Sequence, residues 1–120
     1  MKKLLLGVLA LTGTYGITSA NVLTVHNLTA CSYTLSTSGP LLTVPPGTST
    51  FVSAVGNDFY ITKVVYNFGS FPETSIGVGL GTPYSNSAGQ PVPPCLVGTT
   101  FYTASWSQAS MTANATLVIF

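Results

Sequence analysis

Four side chains beyond the first twenty residues titrate or carry charge near neutrality: His26, Asp58, Lys63 and Glu73. General acid–base catalysis needs at least one tunable group, and a glycosidase pair would have to be Asp58 with Glu73. Asp58 closes Gly56-Asn57-Asp58, a turn in which its carboxylate is expected to bond its own backbone. Glu73 follows Phe71-Pro72 and reads as a solvated loop charge. His26 is the only histidine, on the polar face of a predicted strand, with no evident group to orient it as a base. No serine stands in a Gly-x-Ser-x-Gly elbow, and Ser105 and Ser107 flank Trp106 as alternating strand residues. Gly77-x-Gly79-x-Gly81 runs into Thr82-Pro83-Tyr84 where a phosphate-binding helix would have to start. These glycines are expected to leave a shallow groove in a strand. The chain has no arginine, and Lys63 is its only cation past Lys3, which excludes nucleic-acid binding through phosphates. The expected catalytic set, metal set and cofactor are therefore all none, and an enzyme, as a hydrolase, ranks last.

Cys31 and Cys95 are the two cysteines, and they are expected to pair with each other. Such a bridge closes a loop of about 65 residues and is worth roughly 4 kcal/mol on the chain-entropy model. A reactive thiol or metal site lacks the extra ligands or base it would need, and an intermolecular bridge is the minor alternative. The compartment follows from the amino end. Met1-Lys2-Lys3, the apolar run Leu4 to Leu11 and the small residues Thr18-Ser19-Ala20 form a secretory signal over residues 1–20, cleaved after Ala20. The apolar run breaks at Thr12-Gly13-Thr14, short of the roughly 20 residues of a membrane span. The expectation is a secreted protein, extracellular or periplasmic, with no transmembrane segment after signal removal and one domain over residues 21–120. Only 4% of the chain is charged, against about a quarter in a typical domain, so Ser, Thr, Asn and Gln must supply the polar surface.

What could bind is aromatic and amide. Tyr66, Phe68, Phe71, Tyr84, Tyr102 and Trp106 fall in or near the second half of the chain. Aromatic faces beside amides and hydroxyls can stack a sugar ring or form a protein interface, although most aromatics of a small sandwich fill its core. The candidate contacts are Tyr84, Asn86, Gln90, Trp106 and Phe71. Three of them, Tyr84, Asn86 and Gln90, lie in Gly81 to Cys95, a segment of Gly, Pro, Ser and Asn expected to lack regular structure. Pro91, Pro93 and Pro94 stiffen it, either to present a contact surface or to keep an edge strand from pairing with other chains.

The elements that must position these residues read as strands. Leu23, Val25, Cys31, Tyr33 and Leu35 share parity and alternate with polar residues, with Asn27 to Thr29 as a bulge or bend. Further strands are expected over Leu41 to Val44, Thr48 to Val55, Phe59 to Phe68, Ser75 to Leu80, Thr99 to Ser107 and Met111 to Phe120, the last two as a hairpin. Gly56-Asn57-Asp58 is read as another hairpin loop. Both faces of Phe59 to Phe68 are largely apolar, placing it centrally, with Phe59, Ile61 and Val65 on one of them. Trp106, Ala104 and Tyr102 should point the same way. About seven or eight strands at this spacing predict an all-β, two-layer antiparallel β-sandwich of immunoglobulin-like or Greek-key type, with a small β-barrel as alternative. Asn27-Leu28-Thr29 and Asn114-Ala115-Thr116 match the glycosylation sequon, which matters only in a host with that machinery.

T-V-H-N-L-T-A-C-S-Y-T-L-S followed by L-T-V-P-P-G-T-S-T-F resembles the opening of small uncharacterised exported bacterial β-sandwich proteins. That resemblance implies export and a sandwich, and no activity. Two function classes lead: an exported non-catalytic binding or adhesion module for a glycan or protein, and a self-associating subunit of an extracellular fibre or surface layer. The second is suggested by low charge and by uncharged runs such as Thr116 to Phe120, read as a possible pairing edge.

Overall fold

A computed structural model describes residues 20–120, so the expected signal segment lies outside the described residues except for Ala20. Nine strands follow in order: β1 (Val22–Asn27), β2 (Tyr33–Thr37), β3 (Leu41–Val44), β4 (Gly47–Val52), β5 (Ile61–Tyr66), β6 (Thr74–Gly79), β7 (Tyr84–Asn86), β8 (Thr103–Gln108) and β9 (Ala115–Ile119). They form a five-stranded sheet, β4-β1-β9-β8-β7, and a four-stranded sheet, β3-β2-β5-β6. One shared core joins the two layers, with Leu23, Val25, Ala104, Trp106 and Leu117 from the first meeting Tyr33, Leu35, Val64, Ile76 and Val78 from the second. The fold is therefore the expected β-sandwich. All pairings are antiparallel except β1 with β9, which run parallel from Leu23↔Ala115 to Asn27↔Ile119.

Parity explains which side chains meet. Leu23, Val25, Cys31, Tyr33 and Leu35 are all buried, as the alternation predicts. Asn27 continues that parity and is also buried, so its amide must find partners. Its Nδ2 donates to the carbonyl of Cys31 at 2.7 Å, and its Oδ1 accepts from the Thr29 amide and hydroxyl at 3.0 and 2.8 Å. The predicted bend is thus knotted by one side chain. The first sequon asparagine is buried in the fold, whereas Asn114 of the second is exposed, although its Oδ1 accepts from the Val22 amide at 2.9 Å.

Several expectations are corrected. β5 is central, between β2 and β6, but it begins at Ile61. Phe59 precedes it and is buried while Ile61 is half exposed, so the two do not share a face. Gly56-Asn57-Asp58 lies in a tight turn closed by the Ala54↔Asn57 bridge, yet β4 and β5 belong to opposite sheets, so it is a crossover and not a hairpin. β9 lies between β1 and β8, so Thr116 to Ile119 is an interior strand and not a free edge. β7 arises inside the segment read as irregular.

Two long-range links brace the fold. Cys31, just ahead of β2, is bonded to Cys95, with Cα atoms 5.3 Å apart. Tyr102, just ahead of β8, is fully buried and its hydroxyl donates to the carbonyls of Val64 in β5 at 2.8 Å and Thr74 in β6 at 3.1 Å. Its ring packs on Tyr33 with centroids 4.7 Å apart, and Tyr33 meets Tyr66 edge-on at 6.4 Å.

The glycine groove is also present, formed with Tyr60 and Ile61. Its glycines are not equivalent. A Cβ on Gly79 would sit 2.6 Å from the Tyr60 carbonyl oxygen and 2.8 Å from the Ile61 Cα, both backbone atoms, whereas one on Gly77 meets nothing within 4 Å. Gly79→Ala is expected to lower stability by about 1–3 kcal/mol through overpacking, and Gly77→Ala to change it by less than about 0.5 kcal/mol. Urea midpoints of the two variants check this. Equal midpoints would show that the β5–β6 approach is not tight.

Candidate binding surface

The loop between β5 and β6 is self-satisfied in its hydrogen bonds and apolar at its tip. Asn67 adopts φ 62°, a left-handed conformation that asparagine tolerates better than most residues. Its Nδ2 donates to the Pro72 carbonyl at 2.8 Å, and its own carbonyl accepts from the Ser70 amide at 3.1 Å. The Gly69 amide donates to Glu73 Oε2 at 2.9 Å. Glu73 is exposed as expected, but its carboxylate also braces this turn. With those groups paired, the loop holds Phe68 at 46% and Phe71 at 96% exposure.

The proline segment lies beside it. Gln90 accepts from the Ser75 amide through Oε1 and donates to the Ser75 carbonyl through Nε2, both at 2.9 Å, so its amide imitates a neighbouring strand on the open edge of β6. Thr74 Oγ1 donates to the Pro91 carbonyl one residue earlier on the same edge. The prolines thus cover an edge, which was one of their two expected roles. Together with Tyr66, Asn67, Pro72 and Thr74 they also wall a cleft of about 210 Å³. Pro93 is buried, Val92 stands half exposed at the rim, and Cys95 pins the far end through the disulfide.

The five expected contact residues part company here. Phe71 stands exposed next to Pro72 in the cleft wall. Tyr84 is exposed on β7, the outer strand of the five-stranded sheet, opposite Ser105. Asn86 is exposed but its Oδ1 accepts from the Ala88 amide at 3.1 Å. Neither lines the cleft. Gln90 is corrected from contact to clamp, because both ends of its amide are occupied by Ser75. Trp106 is corrected to core: it is 4% exposed and its indole Nε1–H donates to Gln108 Oε1 at 3.0 Å. Pro72 and Val92 were missed as contact candidates. The signal for them was an aromatic followed by proline in a loop, and a valine between prolines, where neither residue can enter a sheet interior.

The ionisable groups are dispersed. Asp58 precedes β5 and Glu73 ends the loop that follows it, so a strand about 20 Å long separates them. Asp58 does not cap its own turn as expected, since its Oδ1 accepts from the Ser53 hydroxyl at 3.2 Å. His26 Nδ1 lies 3.1 Å from Thr48 Oγ1 on the neighbouring strand. Burial raises the hydroxyl pKa of Tyr102 strongly, with the Tyr33 and Glu73 charges adding to it. Burial also raises that of Tyr33, partly offset by its hydrogen bond with Thr29. Among the described residues no three His, Cys, Asp or Glu gather as a metal site, and no helix is long and apolar enough to cross a membrane. Comparison with family models, curated proteins and solved structures gave no match.

Proposed function

We propose that this is an exported, non-catalytic binding module whose ligand, a glycan or a protein, docks on the Phe68–Phe71 loop and the adjoining proline-walled cleft. The observation that carries the reading is Phe71 at 96% exposure on a loop whose polar groups are already paired. A merely connecting loop gains nothing from holding two aromatic faces in water. A glycan ring or apolar side chain would gain stacking area there, and the braced loop and stapled prolines leave little ordering entropy to lose. The roughly 20 Å between Asp58 and Glu73 is longer than a glycosidase pair spans, which supports the non-catalytic reading. The disulfide supports an extracellular or periplasmic setting.

Changing Phe68 and Phe71 together to alanine is expected to weaken binding at least about tenfold while leaving the unfolding free energy within about 0.5 kcal/mol of the parent. A glycan array and pull-down on extracellular polymers, run on both proteins, check it. Binding of the double variant at parent strength would overturn the site. The second reading, a fibre subunit, is favoured by the outer strands β3 and β4, which carry no charged residue. Filaments that grow with concentration and survive the double substitution would favour it.

A further inference from the structure

Cleavage after Ala20 would make Asn21 the first residue, a position where chains usually fray, yet Asn21 is clamped. Asn21 is 1% exposed. Its Nδ2 donates to the carbonyls of Phe59 and Ala113 at 2.7 and 2.9 Å, its Oδ1 accepts from the Phe59 amide at 2.8 Å, and its carbonyl accepts from the Ser53 amide at 3.0 Å. Its backbone nitrogen donates to Ser53 Oγ at 2.9 Å, and that hydroxyl in turn donates to Asp58 Oδ1 at 3.2 Å. The donors therefore run one way, from the Asn21 nitrogen through a buried serine to a carboxylate. A positive charge at the head of such a chain is stabilised by it.

We propose that cleavage after Ala20 converts the Asn21 nitrogen into an α-ammonium that locks onto Ser53 and Asp58 as a structural cation of the processed protein. The inference goes beyond ligand binding and needs only export. A leader-cleaving protease adds water across the Ala20–Asn21 amide. Ala20 departs as a carboxylate, and the Asn21 nitrogen leaves the bond as an amine that takes up a proton. Ala20 is partly exposed, so the cut end opens to water without disturbing the side-chain clamp. The ammonium keeps the Ser53 hydrogen bond and adds a full charge beside Asp58. Before cleavage the same position offers only a neutral amide. Processing thereby adds a charge-assisted contact that the uncleaved chain lacks.

The test compares the processed chain with one retaining Thr18-Ser19-Ala20, each with and without Asp58→Asn, by urea unfolding at pH 7. Asp58→Asn is expected to reduce the folding equilibrium constant about tenfold more in the processed chain than in the extended one. An equal effect in both would overturn the proposal. A second measurement needs no variant: acetylation of the Asn21 amine in the folded processed protein should be at least about tenfold slower than in urea, while exposed Lys63 serves as the internal reference. Equal rates for the Asn21 amine would overturn it, as would amino-terminal sequencing of the exported protein that found a first residue other than Asn21.

Discussion

Replacing Cys31 and Cys95 together by alanine is expected to cost roughly 4 kcal/mol, a large part of the stability of a domain this size. The bond joins positions 64 apart in sequence, so its removal frees a long loop of the unfolded chain. The native state also loses its anchor for the proline segment. Beyond Gln90 and Pro91, which grip β6, that segment is secured mainly at Cys95. Loss of binding should therefore precede unfolding: under mild reductant the parent is expected to lose ligand affinity while its β-sheet signal persists. Urea unfolding of the double variant, and of the parent with and without reductant, measures both effects. A cost below about 1 kcal/mol would mean that the unfolded chain already holds these segments together.

Most of the fold was legible because one face of most strands is buried, and period-2 parity reports that directly. Leu23, Val25, Tyr33 and Leu35 are examples, as are Tyr102, Ala104 and Trp106, which point inward together. That shared parity already argued against Trp106 as a contact. Parity says nothing about which strand lies alongside, so the parallel β1–β9 pairing was invisible. From the sequence, uncharged Thr116 to Phe120 reads as a possible pairing edge. In this chain the absence of charge does not distinguish an edge from an interior strand, since the outer strands β3 and β4 lack charged residues as interior β9 does. Tyr84-Ser85-Asn86 is too short and too polar to register as a strand, and it is held by pairing with β8. Gln90 shows the same limit within the site. Its amide was visible, but its use as a strand mimic depends on where β6 ends up. Only the exposure of Phe71 was legible, from its place before a proline in a loop between strands.

Tyr102 carries the other large effect. Tyr102→Ala empties a fully buried aromatic site and removes the hydroxyl that spans β5 and β6, for an expected loss of about 4 kcal/mol. Tyr102→Phe isolates the hydroxyl and should cost about 1–2 kcal/mol below pH 10. The two variants separate further in alkali. The folded pKa of Tyr102 is raised, first by burial and then by the charges of Tyr33 and Glu73. Below the unfolded value of about 10 the hydroxyl is neutral in both states, and its full contribution is present. Above it the unfolded tyrosine ionises while the folded one stays protonated, so stability falls by about 1.4 kcal/mol per pH unit until the folded group ionises too. Tyr33, raised in the same direction, adds its own share to the parent and to both variants. The parent is therefore expected to lose stability more steeply than Tyr102→Phe between pH 10 and 12, by about one proton's worth of slope. Urea unfolding at pH 8, 10, 11 and 12 reads the difference. Parallel profiles for the two proteins would show that Tyr102 ionises as readily folded as unfolded, and that its hydroxyl does not hold the two sheets together.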